Sequence, residues 1–187
     1  MEHKGWFSRG YLPHFDAPGL IQEITFRLWD ALPAEVVQAL ADEALEDVEK
    51  WARMEEYLNA GYGACYLRDP RIASLVEEAL FHFDGNRYRL IVWVVMPNHV
   101  HVMIEIFEGW PLDKILHSWK SYTANEANKF LQRKGKFWFR EYFDRYIRDE
   151  RHFANAVNYI HENPVKAGLV EKAEDWPYSS ARFWLDG

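Results

Sequence analysis

The chain has 187 residues, 49% apolar and 17% aromatic, with a formal net charge of −7 at pH 7. That length suits one domain, 1–187, with ample material for a packed core, and no apolar run reaches the roughly 18 residues of a membrane span. The single cysteine, Cys65, excludes an internal disulfide and a cysteine-based zinc site. The opening Met1-Glu2-His3-Lys4-Gly5-Trp6 has no apolar signal core, so a cytoplasmic protein is expected.

In chain order, Ile21 to Leu28 alternates as a strand does. Pro33 opens a helix expected to run to about Leu58, with an apolar stripe of Val37, Leu40, Ala44, Val48 and Trp51 and acids on its other face. Gly61 and Gly63 break it, so 33–60 reads as an acidic helical insertion. Asp69-Pro70 is an N-cap followed by proline at the first helical position, and that helix stops at Asp84-Gly85. Arg87 to Val95 and His99 to Ile106 are strands joined by a tight Pro97-Asn98 connection. Pro111 opens a helix with Leu112, Ile115, Leu116, Trp119, Tyr122 and Phe130 at helical spacing, closed by Gly135. The aromatic-rich stretch Phe137 to Ile147 reads as a fourth strand. Asp149 caps a last helix, which Pro164 is expected to end. A tail, 165–187, closes the chain. Without the insertion and the last helix the order is βαββαβ, a ferredoxin-like α+β fold whose antiparallel sheet has one face covered by helices and the other left for a site.

Met96-Pro97-Asn98-His99-Val100-His101 carries the most chemistry. Strand side chains alternate, so His99 and His101 share a face while Val100, Val102 and Ile104 take the other. Two imidazoles side by side on a rigid strand are a pair of metal ligands in waiting. On the last helix Tyr159 and Asn163 lie four apart and share a face, with His152 and Asn155 extending that polar stripe. If the stripe meets the sheet, His99, His101 and Asn163 form a site for Mg²⁺ or Mn²⁺ with positions open for phosphate and water.

Charge is uneven. Residues 1–109 carry 9 Lys/Arg against 18 Asp/Glu, whereas 114–151 carry ten basic residues against five acidic ones, laced with aromatic rings. That combination suits single-stranded nucleic acid, where cations meet phosphates and rings stack on bases. Lys114, Lys120, Arg140, Arg145 and Arg148 are the candidate phosphate contacts, and Trp119 or Trp138 the candidate stacking ring. From charge alone, a solvated charged helix over an aromatic core is the plainer reading.

The His99-Val100-His101 motif resembles the histidine–hydrophobe–histidine signature of HUH endonucleases. Tyr159-Ile160-His161-Glu162-Asn163-Pro164-Val165-Lys166-Ala167-Gly168-Leu169-Val170, with Asp175-Trp176-Pro177-Tyr178-Ser179-Ser180, resembles the tyrosine helix and tail of REP-associated tyrosine transposases. Arg9-Gly10-Tyr11-Leu12-Pro13-His14-Phe15 and Arg140-Glu141-Tyr142-Phe143-Asp144-Arg145 are similar to that family too. The resemblance implies an HUH fold with a C-terminal tyrosine-bearing helix. It implies Tyr159 as nucleophile, His99 and His101 as metal ligands, and Asn163 as the third. The implied activity is metal-dependent cleavage and joining of single-stranded DNA at palindromic hairpins through a 5′-phosphotyrosine, by a monomer or a dimer, near the nucleoid. The acidic balance departs from the family and motivates an alternative, a domesticated hairpin-binding protein that does not turn over. The acidic helix after Pro33, which carries most of the imbalance, is expected to sit away from the DNA.

Overall fold

The computed structural model describes residues 2–8, 13–40 and 47–184. Its main sheet is built from β3 (Ile21–Arg27), β4 (Tyr88–Val95), β5 (His99–Ile106) and β6 (Phe143–Tyr146) in the order β4-β5-β3-β6, every pair antiparallel. Helix α3 (Pro70–Phe81) joins β3 to β4 and helix α4 (Leu112–Phe130) joins β5 to β6. This is the expected split βαβ topology.

Local chemistry sets the boundaries. Asp69 accepts a hydrogen bond from the Arg71 backbone N–H at 3.0 Å and Pro70 needs no partner for its missing N–H, so α3 starts where expected. Asp149 caps α5 (Glu150–His161) in the same way, accepting from the His152 N–H at 2.7 Å. Alternation along β5 then divides the core. Val100, Val102 and Ile104 meet Ile72, Val76 and Leu80 of α3 and Ile115, Leu116 and Trp119 of α4. Met103, on the histidine face, packs with Val92 and Val94 of β4 and with Met96 just beyond it against Ala156, Val157 and Ile160 of α5. Ile160 is wholly buried there, worth about 1.5–3 kcal/mol.

Several expectations are corrected. The acidic insertion comprises α1 (Ala34–Leu40) and α2 (Asp47–Asn59), with 41–46 outside the described residues. Only Phe143–Tyr146 of the stretch 137–147 is a strand, because Trp138 makes a single bridge to Leu28 and the chain between them leaves the ladder. Pro164 does not end the helical course. Its fixed φ and missing N–H suit a first turn as well as a stop, and it lies in α6 (Asn163–Lys166). An N-terminal hairpin was not expected: β1 (Gly5–Ser8) pairs with β2 (Pro13–Asp16). It is tied down by His14, which engages Asp144, and by Asp16, which accepts from the Leu112 N–H at 3.2 Å at the positive end of α4. The family-like residues 9–12 lie outside the described residues.

The C-terminal tail seals the edge of β4. The Val95 N–H donates to Tyr178 O at 2.8 Å and the Trp176 indole donates to Val95 O at 2.9 Å. Ser180 accepts from the Trp93 N–H at 3.0 Å and pairs with His161 Nε2 at 2.8 Å. His161 therefore clasps the tail, and burial pushes it down to about 4. Gly63 closes the loop after α2 in the left-handed region (φ +90°), where a Cβ would lie 2.4 Å from Asp30 O. Only glycine fits that approach.

Candidate functional site

Sheet register assembles the site. Thr25 on β3, His101 on β5 and Phe143 on β6 are cross-strand partners in one row, so their side chains rise from the same face. His99 is two residues along β5 from His101 and points the same way. Both imidazoles have no solvent exposure, their planes are nearly perpendicular, and their Nε2 atoms are 3.0 Å apart.

The opposite ring nitrogens are held by specific partners. The Asn98 amide donates through Nδ2 to Tyr62 O at 2.9 Å, which leaves its Oδ1 to accept from His99 Nδ1–H at 2.7 Å. That assignment leaves the His99 Nε2 lone pair bare. His101 Nδ1 lies 2.7 Å from the Thr25 hydroxyl, which can donate or accept. Burial pushes His99 down to about 3, partly countered by the Asn163 amide beside it. Burial, reinforced by His99 and Lys166, holds His101 well below its usual value. Both rings are neutral at pH 7, the form that ligates metals.

Helices bring the remaining groups. Tyr159 of α5 packs edge-on to His101, with ring centroids 5.4 Å apart. Asn163, the first residue of α6, is wholly buried, and neither of its amide atoms closes a hydrogen bond among the described residues. Lys166 Nζ lies 4.9 Å from the centre of the Tyr159 ring. The structure thus brings His99, His101, Tyr159 and Asn163 together.

One member was missed. The Tyr159 hydroxyl donates to Glu55 of α2, and Glu55 Oε1 lies 3.8 Å from His101 Nε2. Burial, with Glu23 nearby, pushes the Glu55 carboxyl up to about 8, against the pull of Lys166. The acidic helix therefore does not stand apart; it lies against the site. Its sequence did carry a signal. Glu55 adjoins Met54 and sits four residues after Trp51 and three before Leu58, on the side that turns inward, whereas its neighbour Glu56 is exposed. Next to the site a groove of about 390 Å³ is lined by Trp51, Arg145, His152, Asn155, Ala156 and Tyr159.

The expected nucleic-acid contacts divide. Lys114, Arg140, Arg145 and Arg148 are exposed, and Arg145, paired with Glu23 at 2.6 Å, lines the groove. Lys120 instead holds the backbone oxygens of Phe139 and Arg140 at 2.6 and 2.9 Å. Trp119 cannot stack on a base as it stands: it is 2% exposed, packs on Phe26, and donates to the Tyr88 hydroxyl at 2.8 Å. Trp138 is similarly buried, its indole donating to the Thr123 hydroxyl at 2.8 Å.

Residues 69–163, just over half of the chain and including both histidines, Tyr159 and Asn163, match the model of the family described as "Transposase IS200 like". The chain belongs to this IS200-like transposase family. It is 30% identical over 103 residues to a Haemophilus influenzae protein named for the REP-associated tyrosine transposases, covering 50% of this chain and 58% of that protein. It is also 30% identical over 109 residues to the REP-associated tyrosine transposase of Escherichia coli K12, covering 57% of this chain and 62% of that one. The chain thus spans about six tenths of the length of these curated relatives. A solved structure titled as the REP-associated tyrosine transposase bound to a REP hairpin superimposes with a TM-score of 0.60. It is 17% identical and the match covers 91% of this chain and 81% of the other, a likeness of fold. Among the described residues no helix is long and apolar enough to cross a membrane.

The residues of this IS200-like site fit a divalent cation. The ligand atoms of Glu55, His99 and His101 all lie within 4.8 Å of one another. Glu55 Oε1 and Asn163 Oδ1 are buried without a hydrogen-bond partner among the described residues. Buried polar atoms cost free energy unless satisfied, and this convergence of lone pairs is what a hard or borderline cation satisfies.

Proposed function

We propose that the chain is a metal-dependent endonuclease and strand transferase acting on single-stranded, hairpin-forming DNA, with Tyr159 as nucleophile. The observation that carries this reading is the packing of Tyr159 edge-on to His101 at 5.4 Å, with its hydroxyl in the pocket where the two neutral imidazoles converge. His99, His101 and Asn163 would hold Mg²⁺ or Mn²⁺, which when bound polarises the scissile phosphate and supports the leaving 3′-oxygen.

The chain's own residues supply the rest. The Tyr159 oxygen attacks phosphorus, forming a 5′-phosphotyrosine as the bond to the 3′-oxygen breaks. The phosphodiester energy is kept, and a 3′-hydroxyl attacking later reverses the step. A phenol, with pKa about 10, leaves more readily than an alkyl alcohol, so reversal is accessible. The Lys166 ammonium, 4.9 Å from the centre of the Tyr159 ring, places a positive charge beside the attacking group and the phosphate it would meet. Arg145 at the groove can meet the DNA backbone.

Incubation with a hairpin-bearing single strand and Mn²⁺ should give a denaturation-resistant protein–DNA adduct, absent in Tyr159→Phe and with chelator. A formal charge of −7 favours a second reading, a domesticated hairpin binder. Specific hairpin binding by the wild-type protein with no adduct under Mg²⁺ or Mn²⁺ would establish that reading instead.

A further inference from the structure

Helix α2 lies outside the segment that matches the family, 69–163, and yet it delivers a carboxylate to the centre of the site. It is packed against the core and the sheet. Met54 and Leu58 are buried in the core, and Trp51 stacks on Phe143 at 4.2 Å and meets His101 edge-on at 6.2 Å. Glu55 sits one turn beyond Trp51 with its two oxygens differently engaged. Oε2 accepts from the Tyr159 hydroxyl. Oε1 is buried, has no hydrogen-bond partner among the described residues, and lies 3.8 Å from His101 Nε2.

The buried Glu55 Oε1 and the two neutral imidazole Nε2 atoms gather potential ligand atoms around one point. Leaving such an oxygen unpaired is costly, and no side-chain ammonium or guanidinium fills the gap among the described contacts of Glu55. A cation satisfies His99 Nε2, His101 Nε2 and Glu55 Oε1 at once. The Thr25 hydroxyl can accept from His101 Nδ1–H when Nε2 is needed as a ligand.

We propose that Glu55 bridges the cation and the nucleophile: Oε1 joins His99, His101 and Asn163 as a ligand while Oε2 holds the Tyr159 hydroxyl, so that loading the cation and orienting the phenol are one event. The ligand half stands on the geometry alone; the nucleophile half rests on the transesterase reading of Tyr159.

The test uses the full chain as wild type, Glu55→Gln, Glu55→Ala and Tyr159→Phe. Mn²⁺ affinity is measured by calorimetry, the Mn²⁺-induced rise in thermal midpoint is measured on the same samples, and adduct formation is followed with a hairpin oligonucleotide. Loss of Glu55 is expected to weaken Mn²⁺ binding by about tenfold or more, as groups that tune a metal site do, and to shrink the thermal shift. Adduct formation by Glu55→Gln at saturating Mn²⁺ should slow with hairpin affinity unchanged, and Tyr159→Phe should keep its Mn²⁺ affinity. Glu55 variants that bind Mn²⁺ as tightly as wild type overturn the ligand role. Faster adduct formation by Glu55→Gln overturns the bridge and makes Glu55 a brake on the phenol. Glu55-dependent Mn²⁺ binding by a wild type that never couples to DNA supports the ligand role and sinks the transesterase reading separately.

Discussion

Thr25 Oγ1 lies 2.7 Å from His101 Nδ1, in the same cross-strand row and sealed from water, so one half of the imidazole pair is held in orientation by a hydroxyl on the neighbouring strand. Thr25→Val keeps the shape and the β-branching and removes the hydroxyl. Mn²⁺ affinity should fall by about 10–100-fold and stability by about 1–3 kcal/mol, read by calorimetry and denaturant titration. Unchanged Mn²⁺ affinity would show that the hydroxyl has no part in holding the ligand.

The N-terminal hairpin should loosen in alkali. Burial alone would lower His14, but its hydrogen bonds and charge contacts with Asp144 and Glu141 more than reverse that and raise it above 6.5. Asp144 is also raised, by burial and by Asp16, with the His14 contacts opposing. A raised folded-state value means the folded protein holds the proton more tightly than the unfolded chain. The His14 contribution is therefore fully present below about 6.5 and lost as pH rises through the folded value, and Asp144 pulls in the same direction. Denaturant midpoints should decline as pH rises above about 6.5 in wild type and change less in His14→Gln. That variant should also be less stable at about pH 6 by about 3–5 kcal/mol, since it strands a buried carboxylate.

Arg145 and Trp119 give opposite expectations although both belong to the basic, aromatic region. Arg145→Ala removes an exposed cation at the groove, and with it the partner of the buried Glu23; among molecules that remain folded it should weaken hairpin binding and lower the slope of log affinity against log salt by about one. Trp119→Ala should cost about 3–5 kcal/mol of stability and affect DNA binding only through unfolding. Salt-dependent binding and denaturant curves on the two variants separate these effects.

Ser180→Ala tests the tail clasp. It leaves His161 Nε2 and the Trp93 N–H without their hydroxyl partner in a buried place and should cost about 1–3 kcal/mol, measured by thermal or denaturant unfolding. The hydroxyl lies on the β4 edge, so adduct formation below the unfolding transition should persist.

How much of this was legible follows from where the information is local. The period-two alternation of His99 to Ile106 sets which residues share a face, so the imidazole pair and the Val100, Val102, Ile104 core were readable. Asp69-Pro70 and Asp149 announce their helices because capping is a matter of one or two residues. The burial of Trp119 was also readable, since it falls on the same apolar stripe as Ile115 and Leu116; assigning it to base stacking set that periodicity aside. The hairpin of β1 and β2 was not, because its strands have four residues each and are held by the distant partners Asp144 and Leu112. Glu55 lies 44 positions before His99 and 104 before Tyr159, in a helix crowded with acids. Its spacing from Trp51 and Leu58 marks it as inward-facing, but only the tertiary fold brings it to His101 and Tyr159.

The most direct measurement is peptide mapping of the adduct formed with a hairpin-bearing single strand. Mass spectrometry of the protease-digested complex should find a nucleotide 5′-phosphate on Tyr159. A phosphate on Tyr142, Tyr146 or any other side chain, or cleavage that leaves no covalent link, would contradict the assignment of Tyr159 as nucleophile.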